Sequence, residues 1–335
     1  MEQRYTKGLI TQSSIIENAK ELLIAAKGQK KINLFRVMTA NESIELALKE
    51  PDPVYLYPNL ILQNEFTICF AEPGAGKTAF CFDVAKVIAE KGYTVIYLDL
   101  ELSPKQFQRR YTDGDNVTKF PDCLYRIEFE RLYEYPKGIS YEDLFFTSLL
   151  EAVTQTGATV IFLDNLTKLA AGDTDSAKAT IPIIERLNKI KLDHRLTIIA
   201  LEHNKKVDPG KPIHLNDLQG SKMKSNLVDA VFSIGKSSTG KSIRYIKQLK
   251  TRDGEIVFDT ENVMVCELTK EDGFLRLKTI GYGFEAEHLK LINEVANKEK
   301  IENIKELVNQ GVSNREIARR LNVSEGTIRN RLKAL

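Results

Sequence analysis

Residues 64–79 place a glycine-rich loop between an apolar, strand-like run and a helical pattern. The run reads FTICF and the loop reads AEPGAGKT. In this order a buried strand anchors the loop, backbone N–H groups turn inward around an anion, and the following helix points its N-terminal dipole at that anion. The pattern predicts a phosphate-binding loop, and a chance glycine-rich turn is the less favoured interpretation.

Each position of this loop has an expected role. Gly74 and Gly76 supply backbone freedom, Lys77 is expected to reach the β- and γ-phosphates of ATP, and the Thr78 hydroxyl is expected to hold Mg²⁺. Ala71 stands where the full pattern has glycine. That end of the loop touches no phosphate directly, so the departure changes the expectation little. The residues predicted to surround the nucleotide are Glu72, Pro73, Gly74, Ala75, Gly76, Lys77, Thr78 and Ala79.

Charge and cysteine content narrow the class of protein. The 335 residues carry a formal net charge of +2, so any nucleic-acid surface must be local. The four cysteines form no CxxC pair, which predicts a reducing compartment and no structural zinc. The chain shows no signal pattern and no apolar run of membrane-spanning length. We therefore expect a soluble cytoplasmic protein without a membrane partner.

Strand-like and helical patterns alternate through the middle of the chain. Apolar runs occur at residues 66–70, 93–100, 159–163 and 196–201, and helical patterns occur at 79–90, 141–155 and 181–192. This alternation predicts an α/β fold with a mainly parallel sheet covered by helices on both faces. The polar segment before the sheet, with helical patterns at 13–26 and 41–49, is interpreted as an N-terminal arm that contacts a neighbouring subunit.

Polar residues follow the apolar runs, where a parallel sheet binds its ligands. Asp164 is predicted to hold the Mg²⁺ shell, with a turn residue or helix cap as the alternative. Glu101 is predicted to orient or deprotonate the attacking water, with Asp99 as its rival. His203 is predicted to sense the γ-phosphate, and an ordinary loop residue is the alternative.

The segment YLDLELSPKQFQRR, at residues 97–110, resembles the second-strand signature of the RecA/DnaB-like ATPases. In that family a glutamate ends the strand and an arginine nine residues later stacks near the adenine, which implies these roles for Glu101 and Arg110. The segment at 216–234 is similar to the DNA-facing loop of replicative helicases and of the plasmid RepA helicase family. The resemblance covers roughly residues 55–280. It implies a RecA-like P-loop core, ATP and Mg²⁺ as cofactors, and a hexameric ring.

The segment YIKQLKTRDG, at residues 245–254, resembles the late strand whose Lys-x-Arg pair reaches a neighbouring subunit's nucleotide. The resemblance assigns that role to Lys250 and Arg252. A cation supplied in trans would stabilise charge that develops on the γ-phosphate oxygens, and two side chains spaced by two on an extended chain point the same way. Solvated charges before the Asp253-Gly254 turn are the alternative.

Five lysines lie between His203 and Asn226, in a segment predicted to be a long loop at the ligand end of the sheet. Such a loop is expected to follow the phosphates of single-stranded DNA, with Lys222 and Lys224 as contacts. Few aromatic residues are interleaved, so base stacking is not predicted. An ordinary solvated loop is the alternative.

Past Gly283 the pattern becomes helical, beginning with an amphipathic stretch at 285–309. The segment REIARRLNVSEGTIRNRL, at 315–332, resembles the helix-turn-helix of LuxR-like regulators and sigma-factor tails, and Ser313 and Glu316 form a capping-box pattern before it. A small helical bundle for protein contacts is the alternative. The predicted core is Ile317, Ala318, Leu321, Val323, Ile328 and Leu332. The predicted contacts to duplex DNA are Arg315, Thr327, Arg329, Asn330 and Arg331.

Together these patterns predict a helical arm at 1–54, a RecA-like ATPase core at 55–282, and an all-α helix-turn-helix domain at 283–335. The function expected of this combination is an ATP-hydrolysing, oligomeric DNA motor that serves replication or maintenance of a mobile element. A helix-turn-helix regulator that nucleotide switches without unwinding DNA is the alternative. A P-loop kinase is disfavoured by the Lys-x-Arg pair and the helix-turn-helix.

Overall fold

The computed structural model describes residues 35–130, 138–169, 177–205, 208–219, 221–321, 323 and 325–333. The chain divides into two compact units, Met1–Asp52 and Pro53–Leu335. The described part of the first unit contains helix α1, Ala40–Ala47, which Thr39 and Glu42 close with a reciprocal capping box. None of its side chains is buried. The helical pattern at 13–26 lies outside the described residues.

The second unit contains the remaining elements. Its strands are β1 (Tyr55–Tyr57), β2 (Ile61–Leu62), β3 (Phe66–Ala71), β4 (Val95–Asp99), β5 (Thr112–Asp113), β6 (Asn116–Val117), β7 (Leu124–Ile127), β8 (Val160–Asp164), β9 (Thr197–His203), β10 (Ala230–Lys236), β11 (Ile243–Lys250), β12 (Val263–Glu271) and β13 (Phe274–Gly283). Its helices are α2 (Lys77–Glu90), α3 (Pro104–Arg110), α4 (Tyr141–Thr156), α5 (Ala177–His194), α6 (Ser221–Leu227), α7 (Lys290–Asn309), α8 (Asn314–Arg320) and α9 (Glu325–Lys333).

A nine-stranded sheet forms the core of this unit, in the order β13-β12-β11-β10-β3-β9-β8-β4-β7. The six strands from β10 to β7 are parallel, and β11, β12 and β13 extend the sheet antiparallel. Strands β3 and β8 are buried along their whole length, as expected for a parallel sheet covered on both faces. The predicted mainly parallel α/β fold is confirmed, whereas β12 and β13 carried no strand prediction.

Successive residues of each strand face opposite cores. Tyr97 and Phe162 pack on one face with side chains of α2, whereas Ile96 and Ile161 pack on the other face with side chains of α4 and α5. This alternation follows from the two-residue period of a strand. Helices on both sides hold the sheet in place, and its polar carboxyl edge remains for a ligand.

The C-terminal region differs from its prediction at its start. A 3₁₀ turn, Glu285–His288, precedes α7, so the helix predicted from residue 285 begins at Lys290. The Ser313 hydroxyl caps α8 by accepting from the N–H of Glu316 (3.4 Å). Ile304, Ile317, Ala318 and Ile328 form a small buried core with the predicted Leu321, Val323 and Leu332 around it. Asn322 and Ser324, the predicted turn residue and cap, lie outside the described residues.

No helix in the described part of the chain is both long enough and apolar enough to cross a membrane.

Candidate nucleotide site and nucleic-acid interface

Two glycines in the left-handed region shape the loop between β3 and α2. Gly74 has φ +72° and Gly76 has φ +100°, conformations that residues with a Cβ rarely adopt. A Cβ on Gly76 would also lie 2.6 Å from the Leu277 side chain. No described side chain caps α2, whose N-cap is Gly76, so the N–H groups of its first turn are left for an anion.

Side chains from the far side of β3 hold the carbonyl groups of this loop. Arg244, on β11, donates from Nε to the Ala75 carbonyl (3.0 Å), and Lys236 donates to the Pro73 carbonyl (2.8 Å). These bonds direct the two carbonyl oxygens toward β10 and β11 and hold the loop against these strands. Sequence reasoning missed both residues, because an arginine within a strand and a lysine at its end have no local pattern that relates them to a distant loop.

Lys77 is buried beneath the loop, at 8% exposure. Its Nζ donates to the carbonyl of Ala71 (2.7 Å) and lies 3.4 Å from Nδ1 of His203. Ala71 and His203 are register partners at the ends of β3 and β9, which brings these groups together. Burial lowers the pKa of Lys77.

Asp164 ends β8 in register with Asp99 of β4 and is 2% exposed. Its carboxylate accepts from the Tyr97 hydroxyl (2.8 Å), and the Thr78 hydroxyl lies near enough to influence its pKa. Burial raises the pKa of Asp164 to about 6, and the two hydroxyl groups oppose that shift. The predicted metal ligands Thr78 and Asp164 are therefore neighbours, and Tyr97 is a partner that sequence reasoning missed.

Asn165 joins two of the predicted residues. Its Nδ2 donates to Glu101 and lies 3.1 Å from Nε2 of His203, whereas Glu101 and His203 are 3.9 Å apart. Asn165 is 1% exposed, and its peptide bond with Asp164 is cis. Its role was missed by sequence reasoning, although a polar residue directly after a strand-end acid is a visible signal.

Asp99, the alternative to Glu101 as the residue that acts on water, is hydrogen-bonded to other groups of the protein. Its carboxylate accepts from Arg126 Nε (2.9 Å) and from the N–H groups of Leu102 (2.9 Å) and Glu101 (3.2 Å). Asp99 is 2% exposed, whereas the Glu101 side chain is 36% exposed at the open edge. Asp99 thus holds the turn that carries Glu101. Arg110, the predicted adenine contact, lies in the last turn of α3.

Lys250 and Arg252 lie away from the nucleotide site of their own chain. Lys250 pairs in register with Val231 at the start of β10, beside the start of β3, whereas the phosphate loop follows the end of β3. Lys250 Nζ donates to the carbonyls of Ser225 and Val228 (both 2.6 Å). Arg252 donates to the Asn226 carbonyl (2.7 Å) and to Asp229 (3.0 Å), with its side chain 53% exposed. Both cations hold the segment that ends α6.

The structure corrects the expectation for Lys224 as a DNA contact. Lys224 is 1% exposed, and its Nζ lies 2.8 Å from Glu202 Oε2, an ion pair buried at both ends. A lysine in this position is not on a surface that DNA reaches. The side chain of Lys222 lies outside the described residues, and Lys211 of the same loop is exposed.

The helix-turn-helix presents several arginines. Arg315 is exposed, and Arg329 is exposed and donates to Glu325 (2.7 Å) one turn earlier. Arg319 and Arg320 both donate to Glu316, and these bonds lower the pKa of Glu316 to about 2. The side chains of Thr327, Asn330 and Arg331 lie outside the described residues.

The donors at the sheet edge suit Mg²⁺. No cluster of three or more histidine, cysteine, aspartate or glutamate side chains suited to a metal occurs in the described ranges. Mg²⁺ bound with a nucleotide commonly takes one or two protein oxygens and completes its shell with phosphates and water. The proximity of Asp164 to Thr78, and the burial of that carboxylate without an ion pair in the described chain, fit this pattern.

A family model described as an AAA domain matches residues 35–209 of the 335. The chain belongs to the AAA domain family. Its P-loop ATPase domain implies ATP binding and hydrolysis of a nucleoside triphosphate. A second model, described as a helix-turn-helix domain, matches residues 299–334 and indicates DNA binding. The predicted ATPase and helix-turn-helix are confirmed at this level.

Comparison with solved structures gives one match above a TM-score of 0.5 among those described here, at low sequence identity. A DnaB-like replicative helicase, whose structure was determined together with its interactions with primase, matches with a TM-score of 0.52 and 16% identity over 79% of this chain and 74% of that chain. A KaiC-like protein of the hyperthermophilic archaeon Pyrococcus horikoshii gives a TM-score of 0.48 and 14% identity over 68% of this chain and 99% of that chain. No curated protein matches this chain.

Proposed function

We propose that this AAA domain protein is an ATP-hydrolysing DNA motor that works as a homo-oligomeric ring, in the manner of DnaB-like and RepA-like helicases. The observation that carries the proposal is that the Lys77 ammonium, the Asp164 carboxylate, the Glu101 carboxylate and the His203 ring meet at one edge of the sheet in a chain that also carries a helix-turn-helix. Replication or maintenance of a mobile element is the context we favour.

Each residue at this edge has a task in hydrolysis. Lys77 would exchange the Ala71 carbonyl for the β- and γ-phosphates, and Glu101, which is open to solvent, would accept a proton from the attacking water. Thr78 and Asp164 would hold Mg²⁺, which when bound neutralises charge on the phosphate oxygens. The commitment of Asp99 to Arg126 favours Glu101 over Asp99 as the residue that acts on water.

The position of Lys250 and Arg252 supports a shared site. Both lie toward the end of the sheet opposite their own phosphate loop, so neither serves the nucleotide that its own chain binds. A cation at this place stabilises γ-phosphate charge only when it comes from a neighbouring subunit. The 53% exposure of the Arg252 side chain leaves part of it available to such a neighbour. We therefore include a ring or filament in the proposal, and six subunits as the expected number.

DNA would contact two surfaces. The helix-turn-helix would bind a duplex through Arg315, Thr327, Arg329, Asn330 and Arg331. Single-stranded DNA would follow the basic loop before α6 through Lys222 and exposed lysines such as Lys211, without Lys224.

A second candidate function is favoured by the burial of Lys224. Lys224, one of the five lysines before β10, is ion-paired with Glu202 and cannot contact DNA, which weakens the case for a surface that follows a single strand. A regulator whose nucleotide state sets its assembly on a duplex needs the helix-turn-helix and the ATPase site but no such surface. This protein would hydrolyse ATP slowly and unwind nothing.

One experiment separates the two. ATP hydrolysis by the full chain is measured without DNA, with single-stranded DNA and with duplex DNA, and the mass in solution is measured with ATP. A motor gives a ring-sized mass, stimulation by single strands and displacement of an annealed strand. A regulator gives a slow rate indifferent to single strands and tight binding to one duplex sequence. A fully active monomer would contradict the proposed trans role of Lys250 and Arg252.

A further inference from the structure

The side-chain amide of Asn165 has a fixed orientation. Its Oδ1 accepts from the Thr167 hydroxyl and lies 3.2 Å from the backbone nitrogen of Lys168. A backbone N–H only donates, so the amide atom that faces Lys168 is the oxygen. The NH₂ group is therefore the part of Asn165 that faces Glu101 and His203.

This orientation favours one of the two hydrogen positions on His203. One N–H of Asn165 is directed to Glu101, and the other faces His203 Nε2 at 3.1 Å. The Lys77 ammonium, the group expected at the γ-phosphate, is also a donor and lies 3.4 Å from Nδ1, but its Nζ already donates to the Ala71 carbonyl at 2.7 Å. Since a neutral ring accepts at one nitrogen only, the shorter contact with the amide favours acceptance at Nε2 and hydrogen on Nδ1.

The charges around the ring favour the neutral form. Burial and the charge of Lys77 lower the pKa of His203, Lys168 acts in the same direction, and Glu101 and Glu202 oppose them. A neutral ring with hydrogen on Nδ1 presents a donor next to the expected γ-phosphate position. The same amide occupies one oxygen of Glu101, and the other oxygen, which has no hydrogen-bond partner among the described residues, could accept the proton of a water molecule.

We propose that Asn165 is a positioning residue for hydrolysis, which fixes the Nδ1–H form of His203 and the direction of Glu101 through one buried amide. The inference rests on the proposed ATPase site. Asn165 itself is 1% exposed and acts through its two neighbours.

Asn165→Asp distinguishes this role from a structural one. Aspartate has the same shape and keeps an oxygen for Thr167 and Lys168, so the turn after β8 keeps these bonds. The melting temperature of the variant measures separately the cost of the buried charge. In the positioning role it places an acceptor where both neighbours need a donor. It repels Glu101, and it favours a hydrogen on His203 Nε2. We expect at least a tenfold lower kcat, with affinity for a non-hydrolysable ATP analogue within about threefold of wild type.

A histidine spectrum tests the geometry without activity. The chain has four histidines, so a long-range ¹H–¹⁵N spectrum of the nucleotide-free full chain can be assigned by substitution. Wild-type His203 should show hydrogen on Nδ1, and Asn165→Asp should show hydrogen on Nε2 or on both nitrogens. A wild-type ring with hydrogen on Nε2 would overturn the inference.

Asn262→Asp is the matched control. Asn262, directly before β12, donates from Nδ2 to the Val257 carbonyl (2.9 Å), so this change also replaces a donor by a carboxylate oxygen, away from the nucleotide. Its kcat should remain within about twofold of wild type. Wild-type protein that hydrolyses no ATP would refute the proposed function, whereas active wild type with an equally active Asn165→Asp would refute the positioning role alone.

Discussion

Three carboxylates lie close together at the carboxyl edge of the sheet, and their surroundings separate their roles. Asp99 is buried against Arg126, Asp164 is buried with hydroxyl partners, and Glu101 is open to solvent. Only a carboxylate with a free oxygen can take a proton from water that enters with a nucleotide. Placement in the sheet, more than residue type, distinguishes the three.

Glu101→Gln is expected to lower kcat by about 10²–10⁴ and to leave ATP affinity near wild type, because a general base of this kind contributes that factor and glutamine cannot accept the proton. Asp99→Asn is the control, since it weakens the ion pair with Arg126 and should lower the melting temperature more than Glu101→Gln does. Turnover and nucleotide titration check both variants. Wild-type turnover in Glu101→Gln would remove Glu101 from the mechanism.

Asp164→Asn is expected to stabilise the nucleotide-free protein at neutral pH. Burial raises the pKa of Asp164 from 3.8 to about 6, so the folded state binds a proton that the unfolded state releases. The stabilisation that this proton gives the folded state is complete below the pKa of Asp164 in the unfolded chain, 3.8. It is lost as pH rises through the pKa of Asp164 in the folded protein, about 6. Above about pH 6 the buried charge costs on the order of 2–3 kcal/mol.

The measurement is the melting temperature of wild type and Asp164→Asn across pH. The gap between them should open between about pH 4 and pH 6 and stay constant above that range. A difference in melting temperature that is the same at every pH would contradict the raised pKa of Asp164. The variant should also lose hydrolysis, because a neutral amide holds Mg²⁺ poorly.

Some of these proposed roles could be predicted from the sequence and others could not. The loop residues from Gly74 to Thr78, and the acid and histidine at strand ends, follow from patterns along the chain. Asn165 has a visible signal, a polar residue directly after the strand-end Asp164, but its partners Glu101 and His203 depend on which strands are neighbours and in what register. The same holds for the partner of Tyr97. Lys224 is a further example, because the lysine-rich sequence does not reveal that this one lysine forms a buried ion pair with Glu202.

At the scale of elements, the antiparallel strands support the phosphate loop from outside. Leu277 of β13 packs where a Cβ on Gly76 would lie, and Arg244 of β11 holds the Ala75 carbonyl. The parallel order of β3, β4, β8 and β9 was predictable from the alternation of apolar runs and helices. The contacts from β11 and β13 were not, because Arg244 and Ala75 are 169 positions apart and Leu277 and Gly76 are about two hundred apart.

Gly76→Ala is expected to lower stability and ATP affinity more than Gly74→Ala. Both changes force an alanine to positive φ, a strain of about 1–3 kcal/mol, but only Gly76→Ala also meets the Leu277 side chain. Melting temperature and nucleotide titration measure the difference. In a double-mutant cycle, Leu277→Ala should remove part of the defect of Gly76→Ala, and strictly additive effects would show that the contact does not matter.

Ile328→Ala is expected to abolish duplex binding while ATP hydrolysis without DNA stays within about twofold. The C-terminal core has only four buried residues in its described part, and truncation of a buried isoleucine costs about 2–5 kcal/mol. The surface control is Val308→Ala, which removes a side chain that is 38% exposed. Duplex affinity and ATPase rate are compared in both variants. Unchanged duplex affinity in Ile328→Ala would place recognition elsewhere.

At the scale of the whole molecule, a shared active site predicts rescue between two inactive variants. Lys77→Ala removes the phosphate-loop lysine and Arg252→Ala removes the proposed trans cation, so each protein alone should lose hydrolysis and Arg252→Ala should still bind ATP. In a mixture, some interfaces join an intact loop from one variant to an intact arginine from the other. ATPase activity should therefore return on mixing, and no return in confirmed mixed oligomers would contradict a site shared in this way.

Lys250 and Arg252 already hold three carbonyl groups around the end of α6, those of Ser225, Asn226 and Val228. A neighbour's phosphate would compete with these carbonyl groups for the N–H groups of Lys250 and Arg252. If they serve the neighbour, each arriving ATP loosens a helix end in the adjacent subunit, next to the basic loop. ATP bound by one protomer would then make the end of α6 in the next protomer more mobile. In a ring with ATP at every site, Lys250 and Arg252 of every protomer would have released these carbonyl groups.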